Sequence, residues 1–261
     1  MKLQKIATCA GLIAGGFLSL STNPAQAFNF TTNYQADLTG NNQAKGNIWL
    51  QSVEAGEQVI NDFVLVNSAT ILQNDFYTTG NTGAASSDRG DEASGVKKED
   101  PTSADIVASL GNLNLNNIID TEDSGKFKIN LFFEEAVRSL FFWERGMNSI
   151  LGIQAIDTTG NVLGNFLEIN SRNWANAGFK INTTEVSGSQ KVGSLGVTTK
   201  DLGVSNAISG IQVISKANYN GPDFKVVGST ASVPEPATLA GLGLVGGALA
   251  VSRRRKSQKA S

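Results

Sequence analysis

Apolar residues along this chain come in short runs where they alternate with polar ones, and turn residues separate the runs. In FKINLFF, starting at Phe127, the residues Phe127, Ile129, Leu131 and Phe133 alternate with Lys128, Asn130 and Phe132. A period of two sends one set of side chains to each face of an extended strand, so the segment predicts a half-buried β-strand. Similar runs begin at Asn47 (NIWLQSV), Asp62 (DFVLV), Ala69 (ATILQ), Arg138 (RSLFFW), Ser149 (SILGIQAI), Val162 (VLGNFLEI), Ala207 (AISGIQVIS) and Asp223 (DFKVV). Residues 157–161, DTTGN, read as a hairpin connection between two of them. A single helical turn is expected at residues 102–110, opening with Ser103 or Asp105 as its cap. Many short strands joined by Gly and Asn turns predict an all-β fold, an antiparallel β-sandwich or jelly roll.

Three stretches break this pattern. Residues 78–105 hold almost no apolar side chains, and with Ser86, Ser87, Asp88, Gly90, Asp91, Glu92, Lys97 and Lys98 their composition predicts a long disordered insertion. At the N-terminus, Lys2 and Lys5 precede an uncharged apolar run over residues 6–20 and a small-residue stretch ending Ala25, Gln26, Ala27. That order is a secretory signal helix with cleavage after Ala27, and Cys9 leaves with it. Near the other end, ATLAGLGLVGGALAV runs from Ala237 to Val251 without a charge, followed by Arg253, Arg254, Arg255 and Lys256. Fifteen helical residues span about 22 Å against roughly 30 Å of hydrocarbon, a short transmembrane helix over 237–252. The basic tail at 253–261 holds its end on the cytoplasmic side, which leaves the large domain outside.

Directly before the apolar run stand Val233, Pro234, Glu235 and Pro236. The tripeptide, the short apolar helix and the Arg-rich end together resemble the PEP-CTERM sorting domain of exosortase substrates. That resemblance implies processing near residues 234–236 by an exosortase, a membrane protease, after a transient stay in the inner membrane. The protein would then stand at the cell surface or in the extracellular matrix, typically of bacteria that make exopolysaccharide. The blocks SLFFWERGMNSILGIQAI and GIQVISKANYNGPDFKVVGS further resemble cyanobacterial exosortase-dependent surface proteins. The domain plan is thus a signal peptide at 1–27, a β-sandwich surface domain at 28–232 and a sorting signal at 233–261.

Composition narrows the chemistry of the middle domain. It contains no Cys, and the whole chain has no His, which excludes nucleophile systems and zinc sites built on imidazole or thiolate. Residues 28–232 carry 14 basic against 22 acidic side chains, a surface that repels nucleic acid. No cofactor and no catalytic residue is expected. Trp49, Trp143 and Trp174 are candidates for stacking on sugar rings of an exopolysaccharide, with core packing as the alternative role. Asp120, Glu122, Asp123 and Gly125 have the spacing that opens a calcium loop. Leu131 stands where such a loop needs a bidentate Glu, so a charged turn without a metal is expected. Glu134, Glu135, Glu144, Asp157 and Glu168 are the carboxylates from which a glycosidase pair would come, while Glu144 and Arg145 read as a surface pair at a strand end. The leading expectation is a non-enzymatic structural or binding domain. A carbohydrate-binding module and a carboxylate-dependent glycoside hydrolase are the alternatives.

Overall fold

The computed structural model describes residues 27–77, 85–186 and 188–233. The expected signal helix with Ala25, the PEP residues Pro234, Glu235 and Pro236, the membrane helix and the arginines Arg253, Arg254 and Arg255 lie outside the described residues. Among the described residues no helix is long and apolar enough to cross a membrane.

In chain order the strands are β1 (Thr31–Ala36), β2 (Ile48–Ala55), β3 (Gln58–Ile60), β4 (Val66–Asn74), β5 (Ser86–Arg89), β6 (Asn117–Asp120) and β7 (Phe127–Val137). There follow β8 (Ser139–Arg145), β9 (Leu151–Ile156), β10 (Val162–Ile169), β11 (Ala175–Ile181), β12 (Gln190–Thr198), β13 (Ile208–Ser215) and β14 (Phe224–Ser229). They form three antiparallel sheets, with strand orders β1-β2-β3, β10-β9-β13-β7-β4 and β11-β12-β8-β14-β6-β5. An all-β sandwich is therefore present, with the six-stranded sheet as its middle layer.

Both faces of that middle sheet are covered, and this explains why its strands are apolar without a break. On β8, Leu140 and Phe142 join a core with Ile129, Leu131, Ile153 and Val213 of the five-stranded sheet. The alternate residues Phe141 and Trp143 join a second core with Phe30, Ile48, Leu50 and Val53 from the three-stranded side. Ring packing in the second core is edge to face: Phe30 lies 5.1 Å from Phe141 and 5.4 Å from Trp143. Phe28 exchanges two backbone hydrogen bonds of 2.8 Å with Gly196. Its ring occupies the place of a Gly196 side chain, since a Cβ there would stand 2.3 Å from a ring carbon.

Strand β7 matches its pattern except at Asn130: Phe127, Ile129, Leu131 and Phe133 are buried and Lys128 and Phe132 half-buried, but Asn130 is buried too, with its Oδ1 accepting from Gln212 Nε2 at 2.9 Å. The β9–β10 hairpin closes through Asp157, whose Oδ1 accepts from Thr159 N and Asn161 N while Gly160 takes φ +87°. Two expectations are corrected. DFVLV does not form its own strand; Val64 makes one bridge to Gly228, and pairing resumes at Val66 in β4. The insertion expected at 78–105 is not disordered over residues 85–105. Ser86, Ser87 and Asp88 are buried by pairing, with Ser86 opposite Asp120 and Asp88 opposite Ile118 in β5–β6. Helix α1 (Ser103–Leu110) follows, capped by Thr102 rather than Ser103, in a capping box with Asp105. Lys225 of β14 passes beneath the helix end and donates to Ser109 O at 2.6 Å. Residues 78–84 lie outside the described residues.

The two edges of the six-stranded sheet approach each other. Gly90, just past β5, bridges Thr183, just past β11, and Thr184 N donates to Arg89 O at 3.0 Å. This seam brings together the site described next.

Candidate functional site

Three acidic side chains meet at the seam from three separate elements. Asp88 stands on β5 and Asp120 at the end of β6, and the antiparallel register places them on one face, a residue pair apart. Glu185 comes from the connection between β11 and β12. One oxygen from each lies within 4.8 Å of the other two. Asp88 and Asp120 are buried and Glu185 is half-buried.

The neighbours explain how so much negative charge is held. Arg145, at the end of β8, places Nη2 2.6 Å from Asp120 Oδ2 and 2.8 Å from Asp223 Oδ2. The contact to Asp120 is an ion contact without hydrogen-bond alignment. Arg145 Nε donates to Asp223 Oδ2 at 3.0 Å, and its Nη1 donates to Thr183 Oγ1. Asp88 Oδ1 accepts from Thr184 Oγ1 at 2.6 Å and from Arg89 N at 2.7 Å. Asp223 Oδ1 accepts from Thr121 N at 2.8 Å.

One guanidinium does not neutralise the set. Burial, aided by the negative charge of Asp223, pushes Asp120 well above the usual carboxylate range even though Arg145 opposes the shift. Burial also raises Asp223 to about 6, again against Arg145. Glu185 is pushed up to about 8 by burial and by Asp120, Glu99, Asp88 and Glu122. Asp120, Glu185, Asp223 and Arg145 line a cavity of 160 Å³ together with Thr121 and Glu122. Pockets that enclose an organic ligand run from roughly 300 to 1,000 Å³, so this one suits an ion and a few waters better than a sugar ring.

Several expected placements change. Glu144 and Arg145 are not a surface pair: they are 0% and 4% exposed, and strand alternation turns them to opposite faces of the middle sheet. Trp143 and Trp174 are buried, in different cores, and each gives its indole N–H to an internal acceptor: Thr32 Oγ1 at 2.9 Å and Ser149 O at 3.0 Å. Trp49 is half-buried and donates to Asp37 Oδ1 at 3.0 Å. With both faces of two indoles covered, the three do not make a stacking platform. The glycosidase carboxylates are dispersed as well. Glu134 and Glu135 are exposed on β7, Asp157 is tied into its hairpin turn, and Glu168 on β10 accepts from Lys216 Nζ at 3.2 Å. The seam escaped sequence reading because Asp88, Asp120 and Glu185 are distant in the chain, and Asp88 lies where composition suggests disorder.

The junctions with the two sorting segments are also defined. Ala27 packs against the first core, next to the Phe28–Gly196 bridge. At the far end, Ser139 Oγ donates to Ala231 O at 2.9 Å, and Val233 is 5% exposed within the second core. The domain therefore stays packed up to the residue before Pro234.

No curated protein and no solved structure matches the chain significantly. The family model described as PEP-CTERM protein-sorting motif matches residues 232–256, which take in Pro234, Glu235, Pro236, the apolar run and the arginines. The chain carries a PEP-CTERM protein-sorting motif, and with it the implied processing partner, an exosortase, and export to the cell surface or extracellular space.

Proposed function

We propose that this protein is a structural component of the cell surface or extracellular matrix, a non-enzymatic β domain separated from its tail by an exosortase. The observation that carries the reading is the sorting motif placed directly against the last packed residue, Val233. A motif that begins where the described core ends fits a signal that is removed, and among the described residues Val233 is the last member of the second core. The carboxylates expected for a glycosidase, Glu134, Glu135, Glu144, Asp157 and Glu168, stand apart on β7, β8, the β9–β10 turn and β10, which supports a role without catalysis.

The test is mass spectrometry of protein extracted from the surface of the producing cells. The expected chain begins at Phe28 and ends near residues 234–236. Recovery of peptides from residues 257–261 on that material overturns the sorting half of the proposal. Incubation of the same material with the cells' own exopolysaccharide should release no reducing ends, and release would overturn the non-enzymatic half.

A further inference from the structure

Among the described residues the seam contains more carboxyl groups than cations, and some of its buried oxygens have no hydrogen-bond partner. Six acidic groups interact there: Asp88, Glu99, Asp120, Glu122, Glu185 and Asp223. Arg145 faces Asp120 and Asp223. Arg89, beside Asp88, turns its guanidinium instead to the carbonyls of Gly90 and Ala93. Among the described residues no guanidinium pairs directly with Asp88 or Glu185.

A second observation is independent of the acidic residues. Thr121 is 5% exposed and lines the same cavity, yet among the described residues its Oγ1 has no hydrogen-bond partner. Asp88, 1% exposed, likewise has its Oδ2 unpartnered. Buried polar atoms are seldom left so, and one that faces a cavity lined by carboxylates is placed to take a water or an ion.

The donor set identifies the ion class. Every available ligand atom is oxygen, which selects a hard cation. One carboxylate sits on a connection between strands and the others on strands, an irregular arrangement. Calcium accepts six to eight oxygens in flexible geometry, whereas magnesium demands a near-ideal octahedron.

We infer that Asp88, Asp120 and Glu185 bind a calcium ion, with Thr121 Oγ1 and cavity water completing its shell. The ion fastens β5 to the β11–β12 connection where the sheet edges meet. The inference is independent of the sorting reading.

The test uses the full chain, purified in detergent, stripped with a chelator and dialysed. Titration with calcium should show one ion per chain, with a Kd of about 0.1 to 1 mM as in extracellular modules. At ten times Kd the unfolding temperature should rise by about 3 to 5 °C. Glu185→Gln, at a half-buried position between strands, should weaken binding at least tenfold, and magnesium should bind at least tenfold more weakly than calcium. No thermal shift at about 10 mM calcium, roughly ten times the upper end for such modules, overturns the proposal. So does an undiminished titration in the variant, and an equal response to magnesium removes the assignment to calcium. A crystal of the unmutated protein soaked in terbium needs no variant. Anomalous density among Asp88, Asp120 and Glu185 supports the site, and density confined to other places refutes it.

Discussion

Glu144 faces the interior of the middle sheet, fully buried, with Oε2 accepting from Met147 N at 2.6 Å. Burial raises its carboxyl from the ordinary 4.5 to about 8, against the pull of hydrogen bonds from Ser149 and Met147 N and of Arg145. A folded state that binds this proton more tightly than the unfolded chain gains stability below about 4.5 and loses it as pH rises through about 8. Glu144→Gln keeps an acceptor for Met147 N and removes the titration. Denaturant unfolding at a series of pH values should therefore give parent and variant similar stability near pH 4. By pH 9 the variant should be more stable, by about 2 to 4 kcal/mol. A constant difference across that range would mean that Glu144 does not titrate in the folded protein. Its sequence neighbour Arg145 enters an acidic seam on the opposite face, so two adjacent residues have separate roles because a strand alternates.

At the scale of elements, β5 is a strand built from the sequence SSDR. Its backbone is held twice over: by β6 on one side, and by Ser87 N to Lys98 O at 2.9 Å and Lys98 N to Ser87 O at 2.8 Å on the other. Amide exchange should therefore be slow at Ser87 and Lys98. Exchange there as fast as in an unfolded peptide would restore the disordered insertion that composition suggests. Strands that read clearly in sequence, such as β7, β8 and β13, owe this to their place over a large core, where burial writes hydrophobicity into the chain. Strands that did not read, β1, β3, β5, β6, β11 and β12, are short or rich in small and polar residues. In β12, Gly193 and Gly196 stand where Trp174 and Phe28 approach the backbone, so the apolar surface is supplied by another segment. The acidic seam was hidden for the same kind of reason. The register of β5 on β6 and the meeting of two sheet edges create it, and neither is a local property of the sequence.

At the scale of the molecule, the order of strands along the chain governs when folding can finish. β14 is an interior strand of the six-stranded sheet, paired with both β8 and β6, and it is the last strand among the described residues. Four residues separate its end at Ser229 from Pro234. The middle sheet therefore cannot close until the chain up to the sorting motif has crossed the membrane. On the proposed sorting route, the apolar run and Arg253, Arg254 and Arg255 then oppose further transfer. Every described strand can have paired by that pause, and Pro234 and Pro236 disfavour helix or sheet pairing in the segment that an exosortase would cut. Changing Pro234 and Glu235 together to Ala should separate folding from release. Limited proteolysis of the variant should yield the same resistant domain as the parent, because every packed residue among the described ones precedes the changes. The variant should nevertheless remain in the inner membrane at full length after signal removal, while the parent reaches the surface without its tail. Cell fractionation with intact-mass measurement checks both halves. A variant that reaches the surface trimmed like the parent would show that the tripeptide does not direct processing, and a variant without a resistant domain would show that the fold extends into the motif.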